Sequence, residues 1–325
     1  MISRVADHCF WLGRYLERTE STSRMLFVTA NLALDTEIAS SDVWRPVIIV
    51  SGEEERFLER FDEERAGDAE TVQDYLTWDP QCGVSLLASI DAARWNARAM
   101  REVISLEVWE TVNELHLWLR TDAARGLWTD GRYDFYRHIN RQVQLVLGQI
   151  HGTMLHNHAM DFIWMGVLLE RTGQTARTLD VHHHVLTQLE ARAADPGVGM
   201  VLWPSLLRAC SALEPFMKSS GGVISGRRVA DFLLLEREFP RSVRFCVRRS
   251  WECLSRIRPP TAANLPGGET LERVRALDAW MQGISTEGLS HDRFHDILTH
   301  VVDETASICA GLGNEVLGHG DAPQA

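Results

Sequence analysis

Apolar residues along this chain recur mainly at the three-to-four-residue spacing of an amphipathic helix. Over 2–36, Val5, Cys9, Leu12, Leu16, Met25, Leu26 and Leu32 keep that rhythm with no Gly or Pro cluster between them, so one long helix is expected. The run 44–50 (WRPVIIV) is ambiguous between a short buried strand and a helix; its neighbours are helical, and Pro46 suits a helix first turn. Residues 53–64 read as an acidic amphipathic helix broken at Gly67-Asp68, and 71–78 as a short helix stopped by Asp79-Pro80. From Val84, the positions Leu86, Leu87, Ile90, Ala93, Ala97, Met100 and Ile104 mark another helical run. Ser105, with Glu107 and Glu110 behind it, is an N-cap for a helix through Trp118 to 120. Further helices are expected over 133–154, 158–194 (closed by Asp195-Pro-Gly), 202–218, 229–236, 240–256, 269–283 and 290–317. The Gly/Ser stretch 219–226 reads as a loop, 259–268 as the clearest linker, and 319–325 as a disordered polar tail. No defensible alternation of period two appears. The fold class is therefore all-α, a large bundle of about ten to twelve helices.

One stretch occurs twice. WLGRYLERTESTSRML (11–26) is echoed 153 positions later by WMGVLLERTGQTARTL (164–179). Trp11/Trp164, Gly13/Gly166, Glu17/Glu170, Arg18/Arg171 and Arg24/Arg177 are among the identical pairs. A period of half the chain indicates a duplication rather than a solenoid. The expected organisation is one domain over 1–318, made of halves 1–153 and 154–318 related by a pseudo-twofold, with the two repeat helices side by side near its axis.

Successive helix residues point about 100° apart. Gly13, Glu17, Arg24 and Val28 then share a stripe, as do Gly166, Glu170, Arg177 and Val181, with Gly173 added. Small residues on a stripe admit a second backbone, so the Glu and Arg belong at a helix–helix contact, where buried charges must be paired. An antiparallel crossing would bring Glu17 to Arg177 and Glu170 to Arg24. Parallel or displaced crossings would give each Glu an Arg from another helix. Arg18 and Arg171 point off this stripe and are expected to serve a different neighbour. The repeated set either locks helix register or lines a central polar cavity, walled by Trp11 and Trp164. Two further arginine stripes, Arg94/Arg98/Arg101 near Asn96 and Arg241/Arg244/Arg248 near Ser242, are candidate carboxylate or phosphate sites, or partners of the same glutamates.

Composition narrows the function. A net charge of −12 disfavours general nucleic-acid or anionic-membrane binding. Lys218 is the only lysine, so a catalytic lysine network is excluded while bidentate arginine recognition is available at many positions. The six cysteines show no zinc-like spacing, and most sit in apolar helical patterns as reduced, buried residues. The N-terminus has no signal-peptide h-region and no run could span a bilayer, so a cytoplasmic protein is expected. His182-His183-His184 cannot share a helix face, and His151 and His158 lack the Glu-x-x-His partner of a di-iron bundle. Neither a metal nor a cofactor is expected. No nucleophile elbow and no P-loop is present; 219–226 lacks the Gly-Lys-Ser/Thr ending.

The ordered set formed by the two Glu-Arg repeats, Ala93-Arg-Trp-Asn-Ala-Arg98 with Arg101-Glu102, Trp109-Glu110 with Asn113, and Phe239-Pro-Arg-Ser-Val-Arg244 resembles the bacterial alpha-E family over roughly 2–315. Ser21, Ser23 and Val167 depart from that family's pattern, so a strictly symmetric site is not expected. The resemblance implies a helical protein associated with a circularly permuted ATP-grasp ligase and a transglutaminase-like peptidase, acting in the formation or modification of a peptide amide bond. The leading expectation is an accessory protein that presents a small peptide or carboxylate substrate to the ligase. The alternatives are an enzyme using Glu17 or Glu170 as general acid or base, and a purely structural scaffold.

Overall fold

In a computed structural model that describes residues 3–192, 198–262, 264–288 and 290–319, the two repeat stretches form the longest helices, α1 (Ser3–Asp35) and α9 (His158–Arg192). Their contacts climb together. Gly13 faces Ile163 and Val167, Gly166 faces Phe10 and Arg14, and Glu17 and Arg18 reach Arg171 and Glu170. The helices therefore run in the same direction and in register about a pseudo-twofold. At the crossing the backbones touch, and only glycine permits it. A β-carbon on Gly13 would overlap the Ile163 carbonyl oxygen and sit 2.9 Å from its carbon; one on Gly166 would do the same at Phe10, 3.0 Å from its carbon.

The remaining helices repeat this relation. After α1 come α2 (Ser40–Ser51), α3 (Glu54–Leu58), α4 (Ala69–Trp78), α5 (Leu86–Ala99), α6 (Leu106–Trp118), α7 (Asp122–Asp130) and α8 (Arg132–Thr153). After α9 come α10 (Val198–Ala209), α11 (Leu213–Ser219), α12 (Gly226–Leu235), α13 (Val243–Ile257), α14 (Gly268–Gln282) and α15 (His291–Leu312). Helices α5 and α8 flank α1 with α6 packed on both, and α13 and α15 flank α9 with α14 packed on both. Helix α2 packs on α9 as well as α1, and α10 packs on α1 as well as α9, so each half embraces the other's central helix. Side-chain caps start the flanking helices: Ser85, Ser105 and Ser242 accept from Ala88 N, Val108 N and Phe245 N at 3.1, 3.3 and 3.1 Å. Each such cap stabilises its helix by roughly 1 kcal/mol. The apolar core runs continuously from Phe10 and Leu12 through Tyr136 and Ile163 to Val301.

The all-α class holds, with fifteen α-helices and no strand among the described residues, more than the ten to twelve expected. The ambiguous 44–50 is helical, yet Pro46 lies in the second turn of α2 rather than the first. The hydrogen bond lost there is offset by burial of Trp44, Val47, Ile48 and Val50. The helix expected over 53–64 splits into α3 and a 3-10 turn, Glu63–Gly67. The helix expected over 202–218 breaks at Ser211, whose φ of 52° is left-handed. Helix α13 starts after Pro240, with Ser242 as its cap. The Asp195-Pro-Gly stop and, apart from His319, the tail 319–325 lie outside the described residues; His319 returns to Asp7 at 2.9 Å.

Candidate functional site

The register of α1 against α9 determines which charges meet. Arg171 grips Glu17 with Nε and Nη2 at 3.0 and 2.7 Å, and Arg18 grips Glu170 with the same two atoms at 2.7 and 3.1 Å. Each glutamate is thus held bidentately by the arginine of the other repeat. The parallel crossing realises the alternative in which each glutamate takes an arginine from another helix, not the antiparallel pairing with Arg24 and Arg177, and it corrects the expectation that Arg18 and Arg171 serve a different neighbour. A guanidinium on a long stem reaches across from an adjacent stripe once the helices lie parallel.

Each glutamate also takes a second guanidinium, from a source that differs between the halves. Glu170 receives Arg14 Nε at 2.7 Å, from α1 itself. The repeat offers Glu17 no such residue, because Val167 stands where Arg14 has its counterpart, and Arg241 supplies it instead, Nη1 at 2.7 Å. Arg241 is positioned by the turn into α13. Ser242 donates its hydroxyl to the Glu236 carbonyl, Thr175 donates to the Arg241 carbonyl at 3.1 Å, and Arg171 Nη1 donates to the Pro240 carbonyl at 3.0 Å. The other Nη of Arg241 reaches Glu20 at 2.7 Å, and Glu20 also pairs with Arg24. In the second half Gly173 replaces Glu20, so Arg177 has no carboxylate in that position; its Nε donates to the Val50 carbonyl at 3.1 Å. Glu20 and Arg14 are absent from the expected site. Both lie among the positions where the two copies differ, Arg14 against Val167 and Glu20 against Gly173.

Six guanidiniums (Arg14, Arg18, Arg24, Arg171, Arg177, Arg241) therefore surround three carboxylates (Glu17, Glu20, Glu170); the carboxylates are buried, and the guanidiniums other than Arg171 are part-buried. Burial alone would raise the Glu17 carboxyl, but Arg171 and Arg241 outweigh it and hold the group below the usual range. Glu170 is likewise held low, with Arg14 and Arg18 overcoming its burial. Burial, with Arg241 beside it, pulls Arg24 down to about 10, and its buried Nε has no hydrogen-bond partner. A carboxylate that is fully buried and held low is a poor proton acceptor. The reciprocal pairs tie the register of α1 to that of α9.

The pH dependence follows. The folded-state values of Glu17 and Glu170 lie below the unfolded value of about 4.3. Their contribution to stability is therefore complete above that value and is lost as pH falls through the folded values. Thermal unfolding midpoints should fall steadily as pH drops below about 4, and Glu170→Gln should flatten that slope. A midpoint independent of pH in acid would contradict the assignment.

The remaining candidates lie outside this centre. Trp11 and Trp164 do not wall one central cavity, since each lines a separate hollow. Trp11 stacks on Tyr15 beside α5 in a hollow of about 670 Å³. Trp164 lines another of about 530 Å³ between α9 and α13, with Met160, Leu168, Phe245 and the edge of Arg171. The Arg94/Arg98/Arg101 stripe serves the α5–α6 contact: Arg94 donates to Asn113 at 2.8 Å, Arg101 lies over the Trp109 ring at 5.1 Å, and Arg98 is exposed. Asn96 is buried against His8 at 2.9 Å. Arg244 is half-buried and meets no carboxylate among the described residues. Among those residues, no three metal-binding side chains converge, and no helix is long and apolar enough to cross a membrane.

The reciprocal Glu-Arg lock gives the repeated motif its structural meaning, and comparison with protein families identifies it. The alpha-E family model, described as a predicted alpha-helical domain with a conserved ER motif, matches residues 1–315. The chain belongs to the alpha-E family. No curated protein and no solved structure matches it. In this alpha-E chain the two ER dipeptides are Glu17-Arg18 and Glu170-Arg171, and each glutamate is bound by the other dipeptide's arginine.

Proposed function

We propose that this alpha-E protein is a cytoplasmic, non-catalytic helical partner of an ATP-grasp-type amide ligase, to which it presents a small peptide or carboxylate substrate. The observation that carries this reading is the contrast between the centre and its flank. The repeated carboxylates are saturated by guanidiniums and cut off from water, while the hollow beside Trp164 is roomy and lined by both apolar and cationic groups. Such a site suits binding better than proton transfer. A purely structural scaffold would have no use for that hollow, and an enzyme using Glu17 or Glu170 would need a carboxyl that burial raises, the reverse of the direction found. On this reading ATP chemistry belongs to the ligase, and a transglutaminase-like peptidase would act on the same product.

Co-expression with the circularly permuted ATP-grasp protein of the same genome tests the partnership. The two chains should elute as one complex in size-exclusion chromatography, and ATP-dependent product should require both. Separate elution, together with the same product rate when this chain is omitted, would sink the proposal.

A further inference from the structure

The two halves carry equivalent surfaces that have diverged in charge. Ser85 and Ser242 each cap a helix, and each donates its hydroxyl to the carbonyl six residues earlier, Asp79 or Glu236. Helices α5 and α13 therefore correspond with a shift of 157 residues. Along α5 the hollow beside Trp11 is edged by Pro80, Leu87, Asp91 and Ala92. The corresponding residues along α13 are Arg237, Arg244, Arg248 and Arg249, and all four line a hollow of about 480 Å³. That hollow shares Phe245 and Arg249 with the one beside Trp164, so the two adjoin along α13 as the ends of a groove that these side chains divide.

Glu252 and Asp278 line this hollow with the four guanidiniums, and Arg237 also lines the next hollow with Asp231 and Glu236. Arg248 reaches Asp278 at 3.2 Å and Arg249 reaches Glu252 at 2.6 Å. Arg237 and Arg244 form no ion pair among the described residues. Two guanidiniums outside any ion pair among the described residues, next to the first turn of a fifteen-residue helix, are placed to receive an added anion. Guanidinium forks match a carboxylate bidentately. The other end of the groove, with Met160, Trp164, Leu168 and Phe245, suits a bulky apolar side chain.

We propose that the groove along α13 binds a short peptide with a free C-terminal carboxylate, its carboxylate between Arg237 and Arg244 and an apolar side chain against Trp164. This rests on the substrate-presenting reading above and names the substrate class. The corresponding first-half surface, with Leu87 and Pro80 in place of the two arginines, lacks the anion-binding end.

Isothermal titration of the isolated protein with acetyl-Phe-Ala, its C-terminal amide acetyl-Phe-Ala amide, and inorganic phosphate provides the test. The acid dipeptide should bind saturably and the amide at least about ten-fold more weakly. R237Q/R244Q should lose binding of the acid dipeptide by a similar factor, while R98Q on α5 leaves it unchanged. Both substituted arginines are free of internal carboxylate partners, so the double variant should fold as the parent does. The proposal is overturned if no dipeptide binds saturably, if acid and amide bind alike, if R237Q/R244Q binds as the parent does, or if phosphate alone matches the dipeptide. Titration uses no ligase, so its failure with complex formation intact overturns the ligand class only. Loss of the complex with dipeptide binding intact overturns the partnership only.

Discussion

Gly166→Ala is expected to cost at least about 3 kcal/mol, the upper end for inserting one carbon into a packed interior. The atoms in the way are the carbonyl oxygen and carbon of Phe10, the latter 3.0 Å from the new methyl position, and a backbone cannot swing aside as a flexible side chain can. Alanine is the better helix former by about 1 kcal/mol, so propensity and sterics oppose each other and sterics wins. Relief requires α1 and α9 to separate, which also stretches the Arg18–Glu170 and Arg171–Glu17 pairs a turn away. Gly13→Ala should behave alike, since Ile163 stands in the equivalent place. Gly148→Ala in α8 is the control: a β-carbon there meets nothing within 4 Å, so it should be neutral or stabilising. Unfolding followed by circular dichroism checks all three. A Gly166→Ala protein as stable as its parent would mean that the helices do not touch as described.

Glu170→Gln should cost about 3–5 kcal/mol, the usual penalty for removing one partner of a buried ion pair. Arg14, Arg18 and Arg177 would then face one another with no carboxylate among them. Against a total stability of about 5–15 kcal/mol, that loss should bring the denaturant midpoint down steeply. Glu20→Gln should cost less, because Arg241 keeps Glu17. If the Glu170→Gln protein keeps its midpoint, the central lock contributes nothing and the repeated motif needs another explanation. Dipeptide binding by any folded fraction of this variant should persist, because the groove along α13 does not include Glu170.

The long helices were legible because each buries a continuous apolar stripe, and Ser105 announced its helix through a cap that α6 uses. Helix α7 was not. Of its nine residues only Ala124 and Trp128 are buried, which is too few to display a period. The break at Ser211 has a local mark that the apolar rhythm over 202–218 hid: Pro215, in the first turn of α11, has no N–H to donate to the Ser211 carbonyl. At the site, the duplication showed that Glu17 and Glu170 belong together, and the glycines showed that two backbones approach. Which arginine meets which glutamate depends on the direction in which the helices cross, and angular position on one helix does not encode that. Arg241, offered by its stripe either as an anion site or as a partner of the glutamates, is the latter; that it takes Glu17 was not legible, because it reaches that residue from a turn 224 residues away.

The closeness of α1 to α9 also has a temporal side. The buried face of α1 is completed by a helix that begins at residue 158, and Glu17 is completed later still, by Arg241. During synthesis the face of α1 that meets α9 must wait for well over a hundred residues, with Glu17 unmatched, while α5 and α8 can cover only its other faces. Contacts of such sequence separation slow folding and prolong the exposure of sticky surface. The helix at the heart of the finished molecule is thus the one most in need of protection while the chain is being made.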